Sequence, residues 1–130
     1  MRALAITAAL LVAPMHCDAP ATSTVTSTKG RCTQFEPLLA ELAPAGGWDV
    51  ARMSRLMHRE SRCQPGVRSR TRDSGLLQIN DINHRFLRGR LDEHVDRWTL
   101  QNPRQNIRAA AALCEFWRHR GGCYLPWATS

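Results

Sequence analysis

A chain of 130 residues is long enough for one domain with a buried core and too short for two. Hydrophobic residues make up 43% of it and charged residues 22%, which is typical of a globular domain and excludes a disordered tail or a polytopic membrane protein. The formal net charge is +7, and every basic residue except Lys29 is an arginine. This balance predicts an anionic partner.

The first 21 residues have the pattern of a signal peptide. Arg2 is a positive start, residues 3–13 are an uncharged apolar run too short to span a bilayer, and Ala19-Pro20-Ala21 fits a cleavage site. We therefore expect a secreted or cell-envelope protein without a stable membrane anchor. A buried N-terminal helix and a lipid anchor at Cys17 are the alternatives. The expected signal peptide, linker and domain cover residues 1–21, 22–30 and 31–130.

Cleavage near Ala21 would leave four cysteines, and an even number in a small exported domain predicts two disulfides. Three pairings are possible. We favour Cys114–Cys123, which closes a short loop, and Cys32–Cys63, which ties the start of the domain to its central helix. Because the chain has no C-x-x-C pair and no H-E-x-x-H, we expect neither a metal nor a cofactor.

Two helices are predicted at the start of the domain. Residues 33–36, Thr-Gln-Phe-Glu, are a capping box, so the first helix should run over about 35–42 and end at the Pro-Ala-Gly-Gly of residues 44–47. The second should begin after Asp49 as its N-cap and run to about Ser61. Its apolar residues have helical spacing: Val50, Met53, Leu56 and Met57.

The rest of the domain is predicted to be mainly helical, with little that demands strands. An arginine-rich loop over residues 66–74 is followed by a short helix over about 83–87. Asn102 as N-cap and Pro103 at the first helical position start a long helix that runs to about Arg118. Two consecutive glycines at 121 and 122 then end it.

Glu60 is the first candidate for chemistry. On the second helix it lies on the same face as the apolar residues, so its carboxyl group is expected to be partly buried. Burial and the negative end of the helix both disfavour the charged form, and a carboxyl group that stays protonated can serve as a general acid. The alternative is a buried ion pair with Arg59, Arg62 or another arginine. Position alone does not choose between the two.

Three blocks of sequence extend this hypothesis. Residues 58–65 read His-Arg-Glu-Ser-Arg-Cys-Gln-Pro, residues 74–80 read Ser-Gly-Leu-Leu-Gln-Ile-Asn, and residues 102–110 read Asn-Pro-Arg-Gln-Asn-Ile-Arg-Ala-Ala. In order and spacing they resemble the lysozyme-like superfamily, in particular the soluble lytic transglycosylase (SLT) domain. The resemblance covers residues 48–127. It implies a mainly α, lysozyme-like α+β fold, with helices around a sugar-binding groove.

The resemblance also implies a reaction, which is cleavage of the β-1,4 bond between N-acetylmuramic acid and N-acetylglucosamine in peptidoglycan. Glu60 matches the family's catalytic acid. It would protonate the leaving oxygen and then, as a base, take the proton of the muramoyl 6-hydroxyl, whose attack gives a 1,6-anhydro end. Ser61 and Gln78 match the family's serine after the glutamate and its groove glutamine. The expected partner is the glycan strand, and the expected state is a monomer.

The aromatic residues near the C-terminus match the family less directly. The chain lacks an Ala-Tyr-Asn-x-Gly motif, and the nearest aromatic hydroxyl is that of Tyr124. Tyr124 either orients Glu60, contacts the sugar or packs beside a disulfide. Trp127 either stacks on a sugar or caps the core. The expected substrate-binding set is Ser61, Gln78, Asn80, Tyr124 and Trp127.

Asp73 bears on the choice between lyase and hydrolase, because most glycoside hydrolases use two carboxylates. Residues 73–80 also look like the Asp-Tyr-Gly-Ile-Leu-Gln-Ile-Asn segment of animal-type lysozymes, whose Asp is the second catalytic carboxylate. The alternative is a loop residue that bonds its own backbone or screens Arg70 and Arg72. We favour the latter because the loop is short. A muramidase using Glu60 and Asp73 is the second hypothesis.

Two other classes of function are weaker. A non-catalytic cell-wall-binding module would keep the groove without needing the Glu60-Ser61 pair that the chain has. A nucleic-acid-binding protein would explain the many arginines, but the chain has no nucleic-acid motif and an export signal would separate it from nucleic acid. We therefore expect no nucleic-acid partner.

Overall fold

The computed structural model describes residues 31–128, so the predicted signal peptide and linker lie outside the described part of the chain. Four α-helices account for nearly half of it: α1 (Glu36–Gly46), α2 (Val50–Ser61), α3 (His84–Leu91) and α4 (Pro103–Trp117). Two short strands, β1 (Asp73–Ser74) and β2 (Ile79–Asn80), pair as an antiparallel hairpin. The predicted mainly helical class is confirmed. Among residues 31–128, no helix is long and apolar enough to cross a membrane.

Helix α1 differs from its prediction at both ends. The capping box does not form, because Thr33 begins a 3₁₀ turn and Phe35 precedes the helix without a side-chain cap. The helix also continues past Pro44 to Gly46, where Gly47 takes up a left-handed conformation with φ 67°. Gly46 is buried, and a Cβ atom there would lie 2.2 Å from the Trp48 ring. Packing against Trp48 therefore carries the helix beyond its sequence stop signal.

Helix α2 begins and ends where the sequence predicts. The Asp49 side chain accepts a hydrogen bond from the backbone N–H of Arg52 at 2.7 Å, which caps the first turn. The helix ends because Arg62 and Cys63 have φ angles of 54° and 64°. The disulfide Cys32–Cys63 ties this end of α2 to the start of the domain, and Cys114–Cys123 ties α4 to the C-terminal segment. These are the two pairs favoured from the sequence.

Helix α4 is the centre of the core. Asn102 caps it by accepting from the N–H of Gln105, with Pro103 in the first turn, as predicted. Its small residues allow α1 to pack closely, and its buried positions are Asn106, Ile107, Ala109, Ala110, Ala111, Ala112, Leu113 and Cys114. Trp117, the last residue of the helix, is only half-buried. The remaining chain between α2 and α4 forms the hairpin, the short α3, which starts at His84 and runs to Leu91, and loops.

Candidate active site

Glu60 lies in the last turn of α2, and its side chain is only 8% exposed. One of its oxygens, Oε1, accepts from Nε of Arg59 at 3.0 Å and from Nη2 at 2.8 Å. The carboxyl group is thus withdrawn from water, as the helical pattern predicts. The ion pair that the sequence left open as an alternative is present, with Arg59 as the partner. Arg59 itself is 52% exposed.

Trp127 joins the end of α2 to the segment before β2. Its indole Nε1 donates to the carbonyl of Leu77 at 2.7 Å, and its own carbonyl accepts from Nη2 of Arg59 at 2.6 Å. The residue is 3% exposed. Trp127 therefore packs in the core and also lines the groove beside α2, and its stacking on a sugar stays a prediction.

Asn106 of α4 holds the turn between the two strands. Its Nδ2 donates to the carbonyls of Ser74 and Leu100, both at 2.9 Å, and its Oδ1 accepts from the N–H of Leu77 at 2.8 Å. Asn106 is fully buried. Gly75 lies against it with φ 78°, and a Cβ atom at Gly75 would be 2.1 Å from the Leu100 oxygen. Asn106 is part of the 102–110 motif, but no role was predicted for it. A polar amide within a buried, alanine-rich stretch of helix is the sequence signal for such a bonding role.

Gln78 and Asn80 use their amide donors within the hairpin region. Gln78 has φ 45°, and its Nε2 donates to the carbonyls of Val67 and Gly75. Asn80 donates to the Thr71 carbonyl and accepts from the N–H of Ile82. Both side chains are half-buried. Their described contacts shape the loop, and their assignment to substrate remains a prediction.

Ser61 follows Glu60 but does not face a groove. It is 3% exposed, and its Oγ donates to the carbonyl of Met57, one turn earlier, at 3.1 Å. This bond occupies the hydroxyl within α2. This bond fits a role for Ser61 in the local geometry of the helix end that carries Glu60, and its assignment to substrate stays a prediction.

Asp73 opens β1, and three side chains donate to its carboxylate. Ser69 and Thr71 bond to Oδ2, and Asn80 bonds to Oδ1 at 2.8 Å. Burial alone raises the pKa of Asp73, but these hydrogen bonds outweigh burial and hold that pKa below its usual value. The Asp73 carboxylate also bonds its own backbone, as favoured from the sequence for a loop residue. The ion pair of Arg72 is with Asp81 and not with Asp73.

A carboxyl group whose pKa is lowered by folding stabilises the fold above its unfolded-state pKa of about 3.9 and loses that effect as the pH falls. We therefore expect Asp73→Asn to be less stable than the parent at pH 7, with the difference shrinking below about pH 4. Urea unfolding at pH 7, 5 and 3 measures this. Asp92→Asn, at an exposed position after α3, is the control. A difference that does not shrink between pH 5 and pH 3 would contradict the assignment.

The family profile described as Transglycosylase SLT domain matches residues 41–120, more than half of the chain. The chain belongs to this SLT family. The match includes Glu60, the 74–80 segment and all of α4, and Asn106 of α4 bonds directly to the 74–80 segment. A comparison with curated proteins finds no match. Membership supports peptidoglycan as the substrate, a transglycosylase-type cleavage of glycosidic bonds and the cell envelope as the usual setting of SLT domains.

Tyr124 in this SLT domain lies at the opposite end of α2 from Glu60. Its hydroxyl accepts from the N–H of Asp49 at 3.0 Å, and the guanidinium of Arg52 stacks 3.7 Å from the ring centroid. Eleven helical steps of 1.5 Å put Asp49 about 16 Å from Glu60. Tyr124 therefore does not orient Glu60. It lines a groove of 590 Å³ between α2 and the C-terminal segment.

Proposed function

We propose that the chain is a lytic transglycosylase that cleaves the MurNAc–GlcNAc bond of peptidoglycan and forms 1,6-anhydro ends, with Glu60 as acid and then base. One observation supports it above the others. The side chain of Glu60 is only 8% exposed at the expected helix end, whereas both oxygens of Asp73 are engaged within the hairpin. A lyase needs one such group, and most hydrolases need two.

In this reaction Glu60 alone gives one proton and takes one back, so no second carboxyl group is needed. Its carboxyl proton passes to the glycosidic oxygen as the bond to the muramoyl anomeric carbon breaks, and the GlcNAc hydroxyl leaves. The resulting carboxylate takes the proton of the 6-hydroxyl, whose oxygen bonds to the anomeric carbon. Water is not consumed. Arg59, bonded to Oε1, stabilises the carboxylate between the two steps.

The products of the wild-type protein test the proposal. We expect digestion of purified peptidoglycan to release muropeptides with anhydro ends, each lighter by one water than the corresponding reducing product. Mass spectrometry of the soluble fraction measures this directly. Heat-inactivated protein is the control. Reducing ends as the main product would overturn the lyase assignment and favour a muramidase.

A muramidase using Glu60 and Asp73 is the second candidate, favoured by the ionised state of Asp73. We expect Asp73→Asn to retain the rate of total muropeptide release to within about threefold, since three neighbouring side chains already bond to the carboxylate and hold it within the hairpin. Asp81→Asn, which removes a surface ion pair on the same hairpin side, is the matched control. A loss of a hundredfold or more at Asp73 alone, comparable with the loss of a catalytic group, would favour the muramidase.

A further inference from the structure

The groove beside Tyr124 has one strongly basic wall. Arg52, Arg55 and Arg59 project from α2 at intervals of three and four residues, so they share one helix face. From Arg52 to Arg59 the row extends about 10 Å along the axis. The opposite wall is the C-terminal segment 121–128. We call this feature the arginine groove.

The charge and the apolar surface of the arginine groove indicate which kind of ligand it can bind. Among the described residues that line it there is no carboxyl group, and the ion pair with Glu60 involves only Arg59, so the groove carries a net positive charge. Leu56 and Leu125 add apolar surface, and Leu125 is 41% exposed. An occupant with both carboxylates and small apolar groups would complement both parts.

Arg59 connects the arginine groove to the candidate acid. It lines the groove and also bonds to Glu60 and to the Trp127 carbonyl. A chain lying along the row would therefore end beside the bond to be cleaved. The groove is continuous with the candidate active site and is not an isolated surface patch.

We propose that the arginine groove binds the acidic stem peptide carried by a muramoyl unit of the glycan strand being cut. This rests on the proposed function, because the stem peptide is part of that substrate. Stem peptides combine alanine methyl groups with free carboxylates, which match the leucines and the arginine row. A phosphate polymer of the wall offers charge without methyl groups of this kind, so the leucines favour the peptide.

The test compares two substrates with one double variant, Arg52→Gln/Arg55→Gln, which leaves Arg59 in place. The substrates are glycan strands that carry stem peptides and the same strands stripped by an amidase, both free of phosphate polymers. For intact strands we expect KM to rise about tenfold, equivalent to about 1.4 kcal/mol, with kcat unchanged. For stripped strands we expect parent and variant to have the same KM. Arg85→Gln/Arg88→Gln on α3 has the same charge change outside the groove and is the control.

Each other outcome overturns the proposal. An equal rise in KM on both kinds of strand would mean that the arginines bind the glycan. An equal rise in KM for the α3 control would mean that only the net charge of the protein matters, and not the groove. A KM change that arises only after a phosphate polymer is added would assign the groove to that polymer. Cleavage is followed by total solubilised glycan, so KM remains measurable even if the ends prove to be reducing. Failure of the lyase proposal is thereby distinguishable from failure of this one.

Discussion

Glu60→Gln is expected to lower the rate of peptidoglycan cleavage by about 10²- to 10⁴-fold, the usual contribution of a general acid or base. Glutamine has nearly the same shape and keeps an oxygen that accepts from Arg59. It has no proton to give to the glycosidic oxygen and cannot take one from the 6-hydroxyl. Release of soluble muropeptides, quantified by chromatography, measures the rate, and circular dichroism checks that the fold is unchanged.

Binding separates this result from the rival functions. We expect Glu60→Gln to sediment with sacculi as well as the parent does, since the groove is intact. Glu115→Gln is the matched control. It makes the same change at an exposed carboxylate of α4, which is paired with Arg90 of α3. Unchanged release by Glu60→Gln would contradict the mechanism. If neither protein released muropeptides while both bound, the wall-binding module would be favoured.

The sequence predicts well those features that short-range chemistry determines. Asp49 and Asn102 cap their helices because an oxygen two or three residues before free N–H groups is sufficient to bond them. The placement of Glu60 in the last turn of α2 follows from helical spacing alone. Helical spacing does not predict which of several arginines pairs with the Glu60 carboxylate. The position of the Arg59 guanidinium also depends on its bond to the Trp127 carbonyl, which is far along the chain.

Long-range packing explains the features that the sequence analysis missed or assigned wrongly. Pro44 predicts a helix end, yet contact with the Trp48 ring extends α1 beyond it. From the sequence, Trp127 fits a sugar-stacking residue as well as a core residue. Its core contact is visible only in the hydrogen bond that its indole donates to the Leu77 carbonyl. Tyr124 is near other candidates in sequence but lies at the far end of α2. For Trp127 and Tyr124 a contact distant in sequence determines where the side chain lies, whereas the end of α1 depends on a ring only two residues beyond it.

Asn106→Ala is expected to lower the free energy of unfolding by about 3–5 kcal/mol, because it leaves three buried backbone groups without their partner, each at a cost of about 1–3 kcal/mol that partial rearrangement reduces. That is a large part of the stability of a small domain. Urea unfolding followed by tryptophan fluorescence, with the disulfides intact, measures it.

The control for this substitution is Asn83→Ala, because Asn83 precedes α3 without a side-chain cap bond and should change stability by less than about 0.5 kcal/mol. Activity should fall together with stability, since Asn106 holds Leu77, which in turn binds the indole of Trp127. The loss should therefore be greater near the unfolding midpoint than at low temperature. If Asn106→Ala matched Asn83→Ala in stability, the turn would be held by the hairpin and Gly75 rather than by α4.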